Sequence, residues 1–262
     1  MKFEQPSVHV IGTTSLQTGY VDMLREIGVS EEEWDVEGSD TDLIEIAGRL
    51  CYKSFGSEAG SRLNKNISKT REGNAEYLYN ILKSHHGSVL EHQSVSIAFI
   101  NVSRVFTHEI VRHRVGTGFS QESLRYVRFS DIKMRFPNTL AVGGEREQMA
   151  RSIFRDIAEH AEDAYSKLEA LYINDDLSMQ QKKAFTSAFR RIAPIGLLTD
   201  IIVTANLRAW RHLIELRTSE HAEEELIEVI DMAAEKLMIH APNAFQDFEC
   251  IHGSWKPEFS KV

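Results

Sequence analysis

A basic stretch at residues 104–135 contains the side chains best suited to binding an anionic ligand. It has seven Arg or Lys residues against three acids, a local excess of +4, in a chain whose formal net charge is −9. Within it, residues 112–126 combine guanidinium groups with small residues, hydroxyl groups and backbone N–H groups that a loop can expose. All of these groups bind phosphate. The composition therefore predicts an anion site, and the alternative is a solvated basic loop paired with surface acids.

A second polar group comes later in the chain, around an apolar, β-branched run at residues 197–203. Its members are Arg190 and Arg191 before the run, and Asn206, Arg208, His212, Arg217 and His221 after it. Asparagine is a favoured helix N-cap, and residues four apart lie on one helix face. If Asn206 caps a helix, Arg208 and His212 are placed to contact a single ligand.

Three more specific motifs are excluded by the spacing or the identity of their residues. His108 and His113 are five residues apart and would diverge by about 140° on a helix, so they cannot share a zinc ion. Gly116 and Gly118 resemble a dinucleotide-binding loop, but the third small residue is missing and the preceding segment has a helical pattern. Ser120 lacks the second glycine of a GxSxG elbow. The sequence thus predicts neither a metal site nor a hydrolase triad.

The overall composition limits the class of protein. The chain has 262 residues, of which 42% are hydrophobic, enough for a sizeable core. Its net negative charge opposes binding to nucleic acid or to an anionic membrane. Its first residues lack the apolar stretch that is typical of a signal peptide, and no apolar run approaches the ~20 residues that span a bilayer, so we expect a cytoplasmic protein. Cys51 and Cys250 are predicted to be buried thiols.

No repeat or long linker divides the chain, so a single domain over residues 1–262 is expected, with no motif in the first 40 residues. Ser39 or Asp40 and then Asn74 are predicted to cap the first two helices. Their apolar stripes are Leu43, Ile46, Ala47 and Leu50, and Leu78, Ile81 and Leu82. A long third helix is expected to present one face to a core or a partner subunit through Met149, Ile153, Ile157, Ala161, Tyr165 and Leu168.

Strand patterns occur at residues 95–99 and 197–203, and more weakly at 8–12. A further helix is expected near residues 179–192, ending before Pro194. Residues 220–235, with seven acids and no Lys or Arg, are interpreted as a solvated helix face. Because helices and strands do not alternate strictly, we predict an α+β fold: a small, mainly antiparallel sheet packed with long helices.

The basic segment resembles the signature of the flavin-dependent thymidylate synthases. The match consists of Arg112-His113-Arg114, a spacer, and Ser123-Leu124-Arg125-Tyr126. Residues 86–92, 190–194 and 206–217 are similar to three further family segments, in the same order. The resemblance covers about residues 42–248.

This resemblance implies a methyltransferase that makes dTMP from dUMP. The methylene group would come from 5,10-methylenetetrahydrofolate, and the hydride from reduced FAD, which NADPH regenerates. The family's fold is a distinctive α/β arrangement that assembles as a homotetramer with active sites at subunit interfaces. The alternatives are a flavin-binding NADPH oxidase or nucleotide-binding protein of the same fold without folate chemistry, and a non-enzymatic RNA- or phosphoprotein-binding module, which the net charge disfavours.

The resemblance also implies roles for individual residues. FAD would be contacted by Ser88, Arg112, His113, Arg114, Gln121, Asn206, Leu207, Arg208 and His212. Deoxyuridylate would be held by Glu109, Arg112, Gln121, Glu122, Ser123, Leu124, Arg125 and Arg190. Arg217 would lie against the uracil and favour its ionised form. His86 would orient folate or a proton-carrying water molecule.

Overall fold

A central four-stranded antiparallel sheet organises the protein. The computed structural model describes residues 2–29, 41–55, 64, 71, 73–125 and 133–262. Strands within these ranges are β1 (Lys2–Phe3), β2 (Ser7–Thr13), β3 (Ser94–Ser103), β4 (Thr117–Gln121), β5 (Lys133–Met134), β6 (Leu198–Asn206), β7 (Phe248–Ile251) and β8 (Ser254–Pro257). The central sheet has the order β2-β3-β6-β4, while β1 pairs with β5 and β7 pairs with β8. The prediction of a small, mainly antiparallel sheet is confirmed.

The helices in the same ranges carry most of the mass around the sheet. They are α1 (Gly19–Ile27), α2 (Asp42–Tyr52), α3 (Asn74–Lys83), α4 (Arg104–Ile110), α5 (Gly144–Tyr172), α6 (Met179–Phe189), α7 (Leu207–Arg217) and α8 (Glu224–His240). Two 3₁₀ turns, Gly87–His92 and Arg190–Ile192, lead towards β3 and β6. The mixed α/β architecture is thus the predicted one.

Period-two alternation explains why one face of the sheet packs against helices. Val95, Ile97 and Phe99 of β3 are buried, as is Val203 of β6, in a core shared with α3, α4, α7 and α8. Trp210 of α7 is fully buried there and donates its indole N–H to the carbonyl oxygen of Val95 at 3.1 Å. This contact fixes α7 against the sheet, which matters because α7 carries four predicted site residues.

The long α5 packs only part of its predicted apolar face. Ala161 and Tyr165 are buried in a second core with α6, whereas Met149, Ile153 and Ile157 are 62%, 56% and 53% exposed. The helix extends as far as the sequence periodicity predicted. In its first half, Phe154 packs on the second core and against Phe136, so the exposed face of α5 is the one that carries the other three side chains.

Two local predictions about helix starts need correction. Asn74 does not cap α3, because Gly73 holds the N-cap position and the Asn74 side chain is buried instead. It accepts a hydrogen bond from Thr41 Oγ1 at 2.6 Å and donates one to Glu45 at 2.8 Å. Ser39 and Asp40 lie outside the described residues.

The stripe expected on α2 is shifted, since Leu50 is 48% exposed whereas Ile44 is buried. Cys51 and Cys250 are both exposed, so the prediction of buried thiols is wrong.

The acidic segment is less solvated than predicted. Glu225 of α8 is buried and accepts a 2.6 Å hydrogen bond from the backbone N–H of Ser103 and a second from its hydroxyl group. Burial raises the pKa of Glu225. This carboxylate joins α8 to the junction of β3 and α4, so part of the acidic run is structural.

Candidate active site

The sheet and two capped helices bring the first group of predicted residues together. Ser103 caps α4 by accepting hydrogen bonds from the backbone N–H groups of Val105 and Phe106 at 3.0 and 3.3 Å. Asn206 caps α7 by accepting from the Ala209 N–H at 2.8 Å, as the sequence predicted. The segment 112–116 follows the end of α4 and returns to the start of α7.

Gly116 allows that return. Its φ is +68°, and a Cβ at this position would lie 2.5 Å from the side-chain nitrogen of Asn206. Its carbonyl oxygen accepts the Asn206 N–H at 3.0 Å. A glycine is therefore required both by backbone conformation and by space, and the Arg112–Arg114 segment is held against the N-terminus of α7.

We call the residues Glu109, Arg112, His113, His212 and Arg217 the His113 cluster. Arg217 Nε donates to His113 Nε2 at 2.8 Å, and Arg217 Nη1 lies 3.4 Å from a carboxylate oxygen of Glu109. The same oxygen lies 3.2 Å from Nη1 of Arg112. The rings of His113 and His212 meet edge to face, with centroids 6.3 Å apart. The structure thus brings five predicted site residues into one group.

The electrostatics of the His113 cluster favour anions. Burial lowers the pKa of His113 to about 4, and the neighbouring charges of Arg217, His212 and Arg112 act in the same direction, against Glu109 alone. His113 is therefore neutral at pH 7, whereas both guanidinium groups are charged. A single carboxylate faces two guanidinium groups, which leaves positive charge for a ligand.

Ser88 and Arg208 lie close by, on the 3₁₀ turn and the first turn of α7. Arg208 pairs with Glu91 at 2.6 Å and donates from Nε to the carbonyl oxygen of Val262 at 3.2 Å. A Cβ on Gly87 would lie 2.2 Å from the carbonyl carbon of Val262. Val262, which follows β8, thus lies against Gly87 and Arg208 in the predicted cofactor region. No local sequence pattern indicated this contact.

Leu207, in contrast, is buried in the main core, and its N–H donates to the Gln93 carbonyl oxygen at 2.8 Å. Any ligand contact there would have to come from the rest of its main chain. Arg114 and Ser88 are exposed.

A histidine and a tyrosine form a third feature of the site region. Tyr52 Oη lies 2.8 Å from His86 Nδ1, and the two rings stack with centroids 5.2 Å apart. His86 follows directly on the left-handed residue His85, whose φ is +56°. The sequence singled out His86 but missed Tyr52, which lies 34 residues earlier.

Four of the remaining predicted residues gather with Arg104 at the other end of β4, and we call this group the Arg190 cluster: Arg104, Glu122, Ser123, Arg125 and Arg190. Arg104 Nη2 donates to the Glu122 carbonyl oxygen at 3.3 Å, while its buried Nε has no hydrogen-bond partner among the described residues. Burial lowers the pKa of Arg104, and the positive charge of Arg190 lowers it further, against the opposing effect of Glu122. Ser123 Oγ accepts the Arg125 N–H at 3.4 Å. An unpaired buried donor beside exposed arginines suits an anion.

Two more predicted residues lie beside this cluster. Gln121 donates to Thr107 Oγ1 at 3.0 Å, and Leu124 packs on the second core. Tyr126 of the signature lies outside the described residues.

Strand β4 separates the two clusters and was not predicted. It has five residues, which at about 3.4 Å each extend roughly 17 Å. Thr117 pairs with Ala205 and Gln121 with Ile201, so the segment expected to be a loop is an edge strand. The predicted nucleotide-binding residues are therefore divided between the two ends of β4 within one chain.

The described residues contain neither a metal-binding cluster nor a membrane-spanning helix. No group of three or more His, Cys, Asp or Glu side chains there is arranged to hold a metal ion. No helix in those ranges is both long and apolar enough to cross a membrane.

Comparisons with known proteins agree on one family. Residues 35–243 match the model of the Thy1 family, described as thymidylate synthase complementing protein. A flavin-dependent thymidylate synthase of Mycobacterium tuberculosis is 38% identical over 219 residues, which cover 82% of either chain. One from Corynebacterium glutamicum is 33% identical over 226 residues, or 84% of either chain.

Among solved structures, a UMP/dUMP methylase, PolB from Streptomyces cacaoi, bound with 5-Br dUMP, shares the fold. Its TM-score is 0.62 at 18% identity, covering 93% of this chain and 95% of that one.

Proposed function

Because this chain belongs to the flavin-dependent thymidylate synthase family, we propose that its arginine-rich site converts dUMP to dTMP with 5,10-methylenetetrahydrofolate as the carbon donor. As a member of that family it is a flavin-dependent methyltransferase. We further propose that the flavin is FAD and that NADPH reduces it. When bound, the flavin supplies the reducing hydride.

The observation that carries this proposal is the position of Arg217. Its side chain is only 17% exposed, and its guanidinium group is held by His113 and Glu109 beside Arg112. A fixed guanidinium group stabilises negative charge that develops on a nearby ring, and does so best where water is largely excluded. Arg217 is thus suited to hold the uracil of dUMP in its ionised form.

The donors around the His113 cluster fit a flavin dinucleotide. Exposed Arg112 and Arg114, the partly exposed Arg208 and the Ser88 hydroxyl group offer charged and neutral donors to a diphosphate. We assign FAD binding to Ser88, Arg112, His113, Arg114, Gln121, Asn206, Leu207, Arg208 and His212. We assign dUMP binding to Glu109, Arg112, Gln121, Glu122, Ser123, Leu124, Arg125, Arg190 and Arg217.

Ser123 and His86 are assigned to roles that do not depend on a charged side chain. Ser123 is assigned to the phosphate rather than to nucleophilic attack, because its Oγ accepts the Arg125 N–H and no base within the described ranges is hydrogen-bonded to it. His86, held by Tyr52, is assigned to orienting the folate or a proton-carrying water molecule.

We also propose a homotetramer with active sites at subunit interfaces. One support is the division of the nucleotide-binding residues between the two ends of β4. The other is the exposed apolar half of α5, where Ile153 and Ile157 line a cleft of about 340 Å³ with Ile195. Apolar surface of this kind is typical of subunit contacts. In such an assembly the Arg190 cluster of one subunit would complete the His113 cluster of another.

Subunit mixing tests the shared site. Arg190→Ala and Arg217→Ala proteins are each expected to be strongly impaired, because each lacks one half of every site. When the two, carrying different affinity tags, are assembled together, we expect activity to return in the doubly purified fraction, because some sites then contain both arginines. Mixed assemblies without activity would show that both arginines must come from one chain.

A visible absorption spectrum tests the reaction itself. The purified, desalted protein is expected to show bound flavin that bleaches anaerobically with NADPH. Its colour should recover only when methylenetetrahydrofolate and dUMP are both present, with dTMP detected by chromatography. Bleaching with NADPH but no dTMP would favour an NADPH oxidase of the same fold. No flavin after incubation with excess FAD would contradict the assignment.

A further inference from the structure

The contact between Arg217 and His113 determines which nitrogen of the histidine ring carries a proton. Arginine is always protonated in proteins, so its Nε–H is a donor only. His113 Nε2, at 2.8 Å from that donor, must then be the acceptor. A neutral imidazole with an unprotonated Nε2 carries its proton on Nδ1.

The surroundings of His113 maintain that state. Three of the groups that face it, Arg217, Arg112 and His212, oppose a positive charge on the ring, whereas Glu109 favours one. Together with burial they lower the pKa of the ring from 6.5 to about 4. Protonation of Nε2 would place two donors against each other and break the contact. The neutral Nδ1–H form therefore persists through the physiological pH range.

We propose that His113 is a positioning residue for Arg217, which it fastens through an unprotonated Nε2 that accepts the Arg217 Nε–H. This contact uses one of the five N–H donors of the guanidinium group and leaves the four on its Nη atoms. Glu109 approaches Arg217 Nη1 from a second direction, at 3.4 Å. The guanidinium plane is thereby fixed before an anion arrives, which lowers the cost of ordering it on binding. The identity of that anion, dUMP, rests on the proposed function.

Histidine-selective ¹⁵N NMR of the flavin-free protein tests the contact directly. We expect the His113 ring to show a proton on Nδ1 and none on Nε2 at pH 7, with a titration midpoint near pH 4. In Arg217→Met, where the cation and the donor are lost, the midpoint should move towards 6.5. A ring protonated on Nε2 at pH 7, or one that titrates near 6.5 in the unaltered protein, would overturn the proposal.

Two substitutions of His113 distinguish the loss of its hydrogen bond to Arg217 from the loss of the imidazole ring itself. Glutamine can place its carbonyl oxygen near the position of Nε2 and accept the Arg217 Nε–H, whereas the shorter asparagine cannot reach it. We expect His113→Asn to weaken dUMP binding about 10- to 100-fold, the range for a hydrogen bond to a charged group, and His113→Gln to restore most of it. Equal losses in both variants would contradict a positioning role.

The outcomes of the two proposals are distinguishable. If the NMR data show the expected tautomer but dUMP does not bind the unaltered protein, the proposed function fails and the positioning contact stands. If dUMP binds and Nε2 is protonated, the function stands and the positioning role fails.

Discussion

Replacing Arg217 by alanine is expected to lower the rate of dTMP formation by roughly 10²–10³-fold while flavin remains bound. The side chain lies at the last turn of α7, fastened to His113 Nε2 and close to Glu109. Its removal takes away the fixed positive charge assigned to the uracil and leaves the carboxylate of Glu109 near an anionic substrate. Both changes raise the energy of the ionised ring. The measurement is dTMP production per flavin, with flavin content read from the absorption spectrum.

Arg217→Lys and Arg25→Ala sharpen this test. Lysine keeps the charge but loses the planar fork and the Nε–H donor, so we expect intermediate activity. Arg25 is a matched control, because it also lies in the last turn of a helix, α1, and pairs with a carboxylate, Asp22, at 3.3 Å. Its substitution should leave turnover unchanged. Normal turnover in Arg217→Ala would remove Arg217 from the catalytic role.

Local patterns were sufficient to predict the elements whose formation depends on near neighbours. The alternation in β3, the apolar stripe of α3 and the Asn206 cap of α7 all agree with the structure. Strand β4 escaped prediction because Gly118 has low strand propensity, and the strand forms only by pairing with β6, 88 residues away at Thr117 and Ala205. Pairing between strands so far apart in sequence cannot be recognised from the hydrophobic pattern of either strand alone.

The same limit applies to the candidate site. The sequence identified Arg112, His113 and Arg217 as residue types suited to anions, and the family resemblance gave them roles. It could not show that Arg217 and His113, 104 residues apart, are hydrogen-bonded. Nor could it show that β4 separates Ser123 and Arg125 from Arg112 and His113. The distance in space between these residues depends on whether the segment that joins them is an extended strand or a compact loop.

The largest expected effect on stability concerns a buried ion pair on α7. Arg211 forms a two-point ion pair with Asp247, at 2.7 and 2.9 Å, and the two side chains are 4% and 0% exposed. Arg211 also donates to the Ala244 carbonyl oxygen at 2.7 Å and lies 4.8 Å from the centre of the Phe248 ring. The pair thus ties α7 to the chain segment that leads into β7 and β8.

The Asp247→Ala variant is expected to lose roughly 3–5 kcal/mol of unfolding free energy, because it leaves the Arg211 charge buried without its partner. Urea denaturation measures the loss, and Asp22→Ala serves as a control. The Asp22 side chain is 83% exposed beside Arg25, so its removal should change stability by less than about 0.5 kcal/mol. A loss below 1 kcal/mol in Asp247→Ala would mean that water or a neighbour solvates Arg211 once Asp247 is gone.

A double variant shows whether the cost arises from the orphaned charge or from lost packing. Arg211→Met with Asp247→Leu removes both charges and keeps apolar volume, so we expect it to be more stable than Asp247→Ala, as for other buried pairs replaced by hydrophobic residues. Arg208, His212 and Arg217 lie on the same helix as Arg211. If the ion pair also fixes the orientation of α7, the double variant should fold well yet bind dUMP more weakly. If it contributes only stability, dUMP binding will match that of the unaltered protein.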